Sequence, residues 1–135
     1  MGGVLISMKN IELSPDSIKY DIECDCMSVR IMDGKYEFSM EVGDVVLDFG
    51  KDLIDGNIIP LSLEIVDASV IFKCQKNSLS EKSLKNMSVQ LKISKEQISI
   101  FIQLTTLFRN EKMQKTVNIS DMNRLNIPDI DLAIV

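Results

Sequence analysis

Two strand-type runs of this chain change phase midway, and that constrains the fold more than any other feature. From Ile18 the apolar side chains fall on even positions, Ile18, Tyr20, Ile22, Cys24 and Cys26; from Met27 they fall on odd ones, Met27, Val29 and Ile31. The run at 61–74 does the same, with Leu61, Leu63 and Ile65 followed by Val66, Ala68, Val70, Phe72 and Cys74. A strand has a side-chain period of two, so a phase change carries the buried face to the other side. A β-bulge, or a bend where the strand passes from one layer to another, accomplishes this. The chain is therefore expected to be α+β and mostly β: a bent or two-layer antiparallel sheet, sandwich or half-barrel, of about six to seven strands.

The remaining elements follow from alternation and turn chemistry. Residues 4–13 alternate loosely and predict a first strand, broken by Ser14-Pro15-Asp16. A long strand is expected at 17–32, then a tight hairpin at Asp33-Gly34. Tyr36, Phe38, Met40 and Val42 alternate with Glu37, Ser39 and Glu41, the pattern of a strand with one wet face. Gly43-Asp44 turns the chain into Val45, Leu47 and Phe49. A loop over 51–60, a bent strand at 61–74, a polar connection at 75–83 and a strand through Met87, Val89, Leu91 and Ile93 complete the series.

Ser94-Lys95-Glu96-Gln97 then has the form of a capping box ahead of an apolar run. It predicts one C-terminal helix near 94–110, apolar over roughly 220° of its girth. Ile98, Ile100, Ile102 and Leu104 also alternate, and β-branched residues favour strands, so a second hairpin arm is the rival reading. Pro128 bars a helix from the end of the chain, where Ile130, Leu132 and Ile134 alternate. The expected organisation is a single β-rich domain over 1–125, with an extended apolar C-terminal tail over 126–135 packing on its own or a neighbouring sheet edge.

Chemistry is sparse. The chain has no His, which removes the commonest general base, the usual triads and most zinc sites. No Gly-rich phosphate loop and no Gly-x-Ser-x-Gly elbow is present. Asp21, Glu23 and Asp25 share one face of the expected strand, but about 7 Å apart, too far to hold one ion together. Cys24 and Cys26 would point into the core beside Ile18, Tyr20 and Ile22. Three Cys, an odd number, argue against a disulfide framework. No catalytic, cofactor-binding or metal site is expected, and a non-enzyme is the reading that follows.

Residues 1–74 carry 14 acids against 6 bases, a net −8; residues 75–135 carry 6 against 9, a net +3. That asymmetry suits self-association or an oppositely charged protein. The scattered bases and the lack of interleaved aromatics disfavour nucleic acid. No apolar stretch reaches the roughly 20 residues needed to span a bilayer, and no signal peptide is evident. Reduced cysteines fit a cytoplasmic, reducing setting, or an assembly formed there.

The expected role is a non-enzymatic protein–protein assembly subunit, a homo-oligomer joined through its apolar helix and tail. The candidate interface is Ile98, Phe101, Ile102, Leu104, Phe108, Ile130, Leu132 and Ile134. In outline, an acidic, Met-bearing antiparallel sheet followed by a long helix resembles SecB-like chaperones, which implies client binding. A strand running into Ser94-Lys95-Glu96-Gln97 and an apolar helix is similar to units of bridge-like lipid-transfer proteins, which implies a lipid-handling groove.

Overall fold

A computed structural model describes residues 10–11 and 17–134. The expected strand over 4–13 falls mostly outside them, as does its break at Ser14-Pro15-Asp16. The described residues form two five-stranded sheets with a continuous apolar core between them.

The first sheet is built from β2 (Ile18–Asp21), β3 (Cys26–Arg30), β4 (Lys35–Val42), β5 (Val45–Lys51) and β6 (Ile58–Ile65), in the order β2-β3-β6-β5-β4. The long strand expected at 17–32 is thus a hairpin, turned at Ile22–Asp25. The register explains the phase change. Tyr20 pairs with Met27 and Ile18 with Val29, an even position with an odd one each time. Parity inverts across such a turn, so the same side of the sheet is even on one arm and odd on the other. The second phase change is also not a bulge. After β6 the chain leaves the sheet at Asp67, whose φ is 52°, and enters a helical turn, α1 (Ala68–Ile71).

Asp33-Gly34 is not the tip of a hairpin either. The chain passes from β3 to β4 at the far edge of the sheet, beyond β6 and β5, in a Greek-key arrangement. The Ile31 and Met32 amides donate to the Leu61 carbonyl at 2.8 and 3.1 Å, fastening the start of this crossing to β6. A side chain at Gly34 would come within 2.7 Å of the Lys51 carbonyl and 2.8 Å of the Leu61 side chain. The glycine here serves close backbone approach rather than a turn.

The second sheet contains β7 (Leu84–Ile93), β8 (Gln97–Phe108), β9 (Glu111–Met122), β10 (Ile130–Ile134) and the short β1 (Asn10–Ile11), in the order β1-β10-β7-β8-β9. The helix expected near 94–110 is β8, a central strand paired with β7 and β9 along its length. The Ser94–Gln97 contact does form: the Gln97 amide donates to Ser94 Oγ at 3.2 Å, and the Ser94 amide donates to the Gln97 carbonyl at 2.9 Å. It closes a β-turn instead of capping a helix. Ile98, Ile100, Ile102 and Leu104 all face the core, as the β-branched alternation allows. Toward the C-terminus, β10 lies between β7, to which it is antiparallel, and β1, to which it is parallel.

Between β6 and β7, α1 and a 3₁₀ turn at Lys76–Leu79 cover one end of the sandwich. Ala68, Phe72 and Leu79 are buried there. The Thr106 hydroxyl of β8 reaches the Ser78 and Ser83 carbonyls and fastens this connection to the second sheet. At the opposite end, buried Asn123 pins the β9–β10 connection: its Nδ2 donates to the Ser94 and Ile127 carbonyls at 2.8 and 3.0 Å, and its Oδ1 accepts the Ile127 amide at 3.0 Å.

Candidate functional site

Five of the eight expected interface residues lie in the core. Ile98, Ile102 and Leu104 are buried between the sheets, as are Ile130 and Leu132. Phe101 is half-buried on the outer face of the second sheet, where it lines a shallow depression of about 130 Å³ with Lys92 and Asp131. Phe108 is half-buried under the Arg109 guanidinium, 5.2 Å from its ring centroid. Ile134 is placed by backbone pairing with Val89. Helical spacing grouped Ile98, Phe101, Ile102, Leu104 and Phe108; strand pairing instead turns Ile98, Ile102 and Leu104 to the core and Phe101 to the outer face.

The outer face of the first sheet holds the polar chemistry. Met27, Val29, Leu47, Leu63 and Ile65 point inward, so their sequence neighbours point out. Register then builds rows across the strands. One row is Lys19, Ser28 and Glu64; the next toward the β2–β3 turn holds Asp21 and Cys26. Together with Cys24 and Val66 these residues line a cleft of about 350 Å³, floored by parts of Met27 and Ile65. The cysteines are not in the core as alternation on a single strand would have put them. Cys24 is exposed and Cys26 half-buried, because the turn shifts Cys26 to the outward parity of β3.

Asp25, in the same turn, does face inward and is 7% exposed. Its φ of 55° is left-handed, a conformation Asp tolerates better than most residues. One carboxylate oxygen accepts the Tyr20 hydroxyl at 2.6 Å and the Ser69 amide at 3.0 Å, and the other accepts the Ser69 hydroxyl at 2.5 Å. The Asp25 carbonyl accepts the Ala68 amide at 2.9 Å. This turn is thereby clamped onto α1. Burial pushes the Asp25 carboxyl upward, but donors from Ser69 and Tyr20, with Lys76 nearby, outweigh it and hold the group below its ordinary value. Burial and that same carboxylate push the Tyr20 hydroxyl well above its ordinary value. The Cys26 thiol is pushed up to about 11 by its hydrogen bond with Cys24, then by burial.

A second row crosses four strands: Arg30 beside Ser62, Ser62 beside Asp48, Asp48 beside Ser39. The Ser39 and Ser62 hydroxyls donate to the two oxygens of Asp48 at 2.6 and 2.8 Å, and Tyr36 Oη lies 2.7 Å from Ser39 Oγ. Tyr36 reaches this face through a bulge. It pairs with Gly50 while Phe38 pairs with Phe49, which leaves Glu37 over and re-aims the tyrosine outward. No sequence signal separates this row from an ordinary wet face, since Ser and Asp are common there. Among the described residues, no three His, Cys, Asp or Glu side chains are grouped to hold a metal ion, and no helix is long and apolar enough to cross a membrane.

This chain is similar to two proteins. A Methanosarcina mazei protein named "Putative hypoxanthine phosphoribosyltransferase" is 28% identical over 109 residues, 81% of this chain and 83% of that protein. An uncharacterized protein of Methanocaldococcus jannaschii is 26% identical over 117 residues, 87% of this chain and 96% of that protein. No family model matches, and no solved structure matches. The name of the first relative is that of an enzyme, and it overturns the expectation of a non-enzymatic assembly subunit. The outlines shared with SecB-like chaperones and lipid-transfer units both required a long helix after the sheet, and that stretch is β8.

Proposed function

We propose that the chain binds a small, planar, polar molecule in the cleft beside the β2–β3 turn, and that its ligand class is the purine base. The observation that carries this reading is the cleft itself. Its walls combine apolar surface from Tyr20 and Val66 with donors at Lys19 and Ser28 and acceptors at Asp21 and Glu64. A concave site with mostly apolar walls and a few convergent polar groups is the ordinary form of a small-molecule site. The ligand class comes from the M. mazei relative's name. Hypoxanthine suits such walls: a carboxylate can accept its ring N–H, while an ammonium or hydroxyl donates to its exocyclic oxygen.

The enzyme reading follows the same relative. Transfer of a phosphoribosyl group needs a cradle of cations or backbone N–H groups around phosphate. Lys19 is the one cation among the described residues lining the cleft, so binding of the base is the step these walls support and transfer is the second arm of the test.

Calorimetric titration with hypoxanthine, then turnover with a phosphoribosyl donor added, tests both arms. Saturable binding that Glu64→Gln weakens about tenfold supports the cleft, that factor corresponding to one lost charge-assisted hydrogen bond of roughly 1.4 kcal/mol. Binding that is absent, or unchanged in Glu64→Gln, rejects it.

A further inference from the structure

We propose that Cys24 and Cys26 form a dithiol that exchanges with small disulfides. The inference does not rest on the purine reading, although the two thiols share the rim of the same cleft. Three observations support it. The β2–β3 turn brings both side chains out of the core, with Cys24 exposed to solvent. The Cys26 thiol folds back on its neighbour, its Sγ donating to the Cys24 carbonyl at 3.2 Å. The residue between them, Asp25, is fixed by its left-handed backbone and its bonds to Tyr20 and Ser69, so the two cysteines are held around a rigid centre.

The two thiols have different roles. Cys24 is the accessible nucleophile, and its thiolate attacks one sulfur of an external disulfide, R–S–S–R. A bond forms between Cys24 Sγ and that sulfur, the old S–S bond breaks, and R–S⁻ leaves to take a proton from solvent. Cys26 then gives its proton to solvent base and attacks Cys24 Sγ in the mixed disulfide, releasing the second R–S⁻. The external disulfide is reduced to two thiols and the protein is oxidised to a Cys24–Cys26 disulfide. The thiolate is the reacting form, so ring closure is limited by deprotonation of Cys26. Its rate therefore rises with pH as the Cys26 thiolate forms.

The test incubates the reduced full-length protein with oxidised glutathione across a pH series, quenches in acid and reads intact mass and linked peptides. The expected product has lost two hydrogens and carries a Cys24–Cys26 link, formed faster as pH rises. Cys26→Ser stops at the glutathione adduct on Cys24, Cys24→Ser forms no link, and Cys74→Ser behaves as the parent does. A parent protein that stops at the adduct, as Cys26→Ser does, overturns the proposal. So does a link that includes Cys74.

Discussion

Asp25 is the residue on which the β2–β3 turn depends. It is a buried carboxylate that accepts three hydrogen bonds, one from the Tyr20 hydroxyl and two from the hydroxyl and backbone amide of Ser69 on α1. Removing one partner from a buried, charged hydrogen-bond network costs about 1–3 kcal/mol. Asp25→Asn keeps the shape and the tolerance of left-handed backbone but loses the charge, so we expect a loss of that size in chemical denaturation at pH 7. The pH dependence has a definite sign. The folded-state carboxyl titrates below its ordinary value of 3.8, so its stabilisation is complete above 3.8 and is lost as pH falls through the lower folded value. Asp25→Asn should flatten the acid limb of the stability curve in that window. An acid limb identical to the parent's would show that Asp25 is not the group responsible. Little of this was legible in the sequence. Asp25 between two cysteines on an alternating run looks like the wet side of a strand, and only the pairing of Asp21 with Cys26 exposes the turn.

Elements were more readable than their boundaries. The alternation of β4, β5, β7 and the core face of β8 is plain in the chain, and those residues are buried as alternation requires except at the start of β4, where the bulge turns Tyr36 out. What misleads is parity. A hairpin that pairs even with odd positions prints the same phase change as a bulge, and the same inversion recurs between Val42 and Val45 and between Ile93 and Ile98. Turn glycine advertised the first of these, while the β2–β3 turn has no glycine. β8 shows a second ambiguity: Ser-x-x-Gln closes a tight turn through the same hydrogen bond that would cap a helix. The strand assignment has an energetic consequence. Ile102 is fully buried in a central strand, paired to Val89 and Val117. Ile102→Ala should cost about 2–5 kcal/mol, measured by denaturant unfolding, because a close-packed core relaxes only partly around the cavity. A cost within a few tenths would mean that Ile102 is not in that core.

For the whole molecule, the last residues complete the second sheet. β10 covers the edge of β7, and Ile127, Ile130 and Leu132 bury their side chains in the common core. A chain ending at Asn126 should therefore lose cooperative unfolding or aggregate, since truncation uncovers a long apolar strand edge. A truncated protein that melts with the full-length midpoint would contradict this placement. The sequence predicted an extended apolar tail; Ile130–Ile134 is instead a paired strand of the second sheet, and a pattern within one segment cannot name the strands it joins. The same limit hid the cleft, whose lining comes from β2, β3, β6 and the turn between the first two. Its tests are independent of the core: substitutions at Lys19 or Glu64 should alter binding and leave stability within about half a kcal/mol, as surface changes usually do.

The measurement that bears most directly on the proposed site is an amide-resolved NMR titration of the full chain with hypoxanthine. Shifts that saturate together and cluster at Lys19, Asp21, Ser28, Glu64 and Val66, with the Asn10–Ile11 and Ile130–Ile134 edge unmoved, are what the cleft predicts. Shifts scattered over both sheets, or none at saturating base, would contradict it.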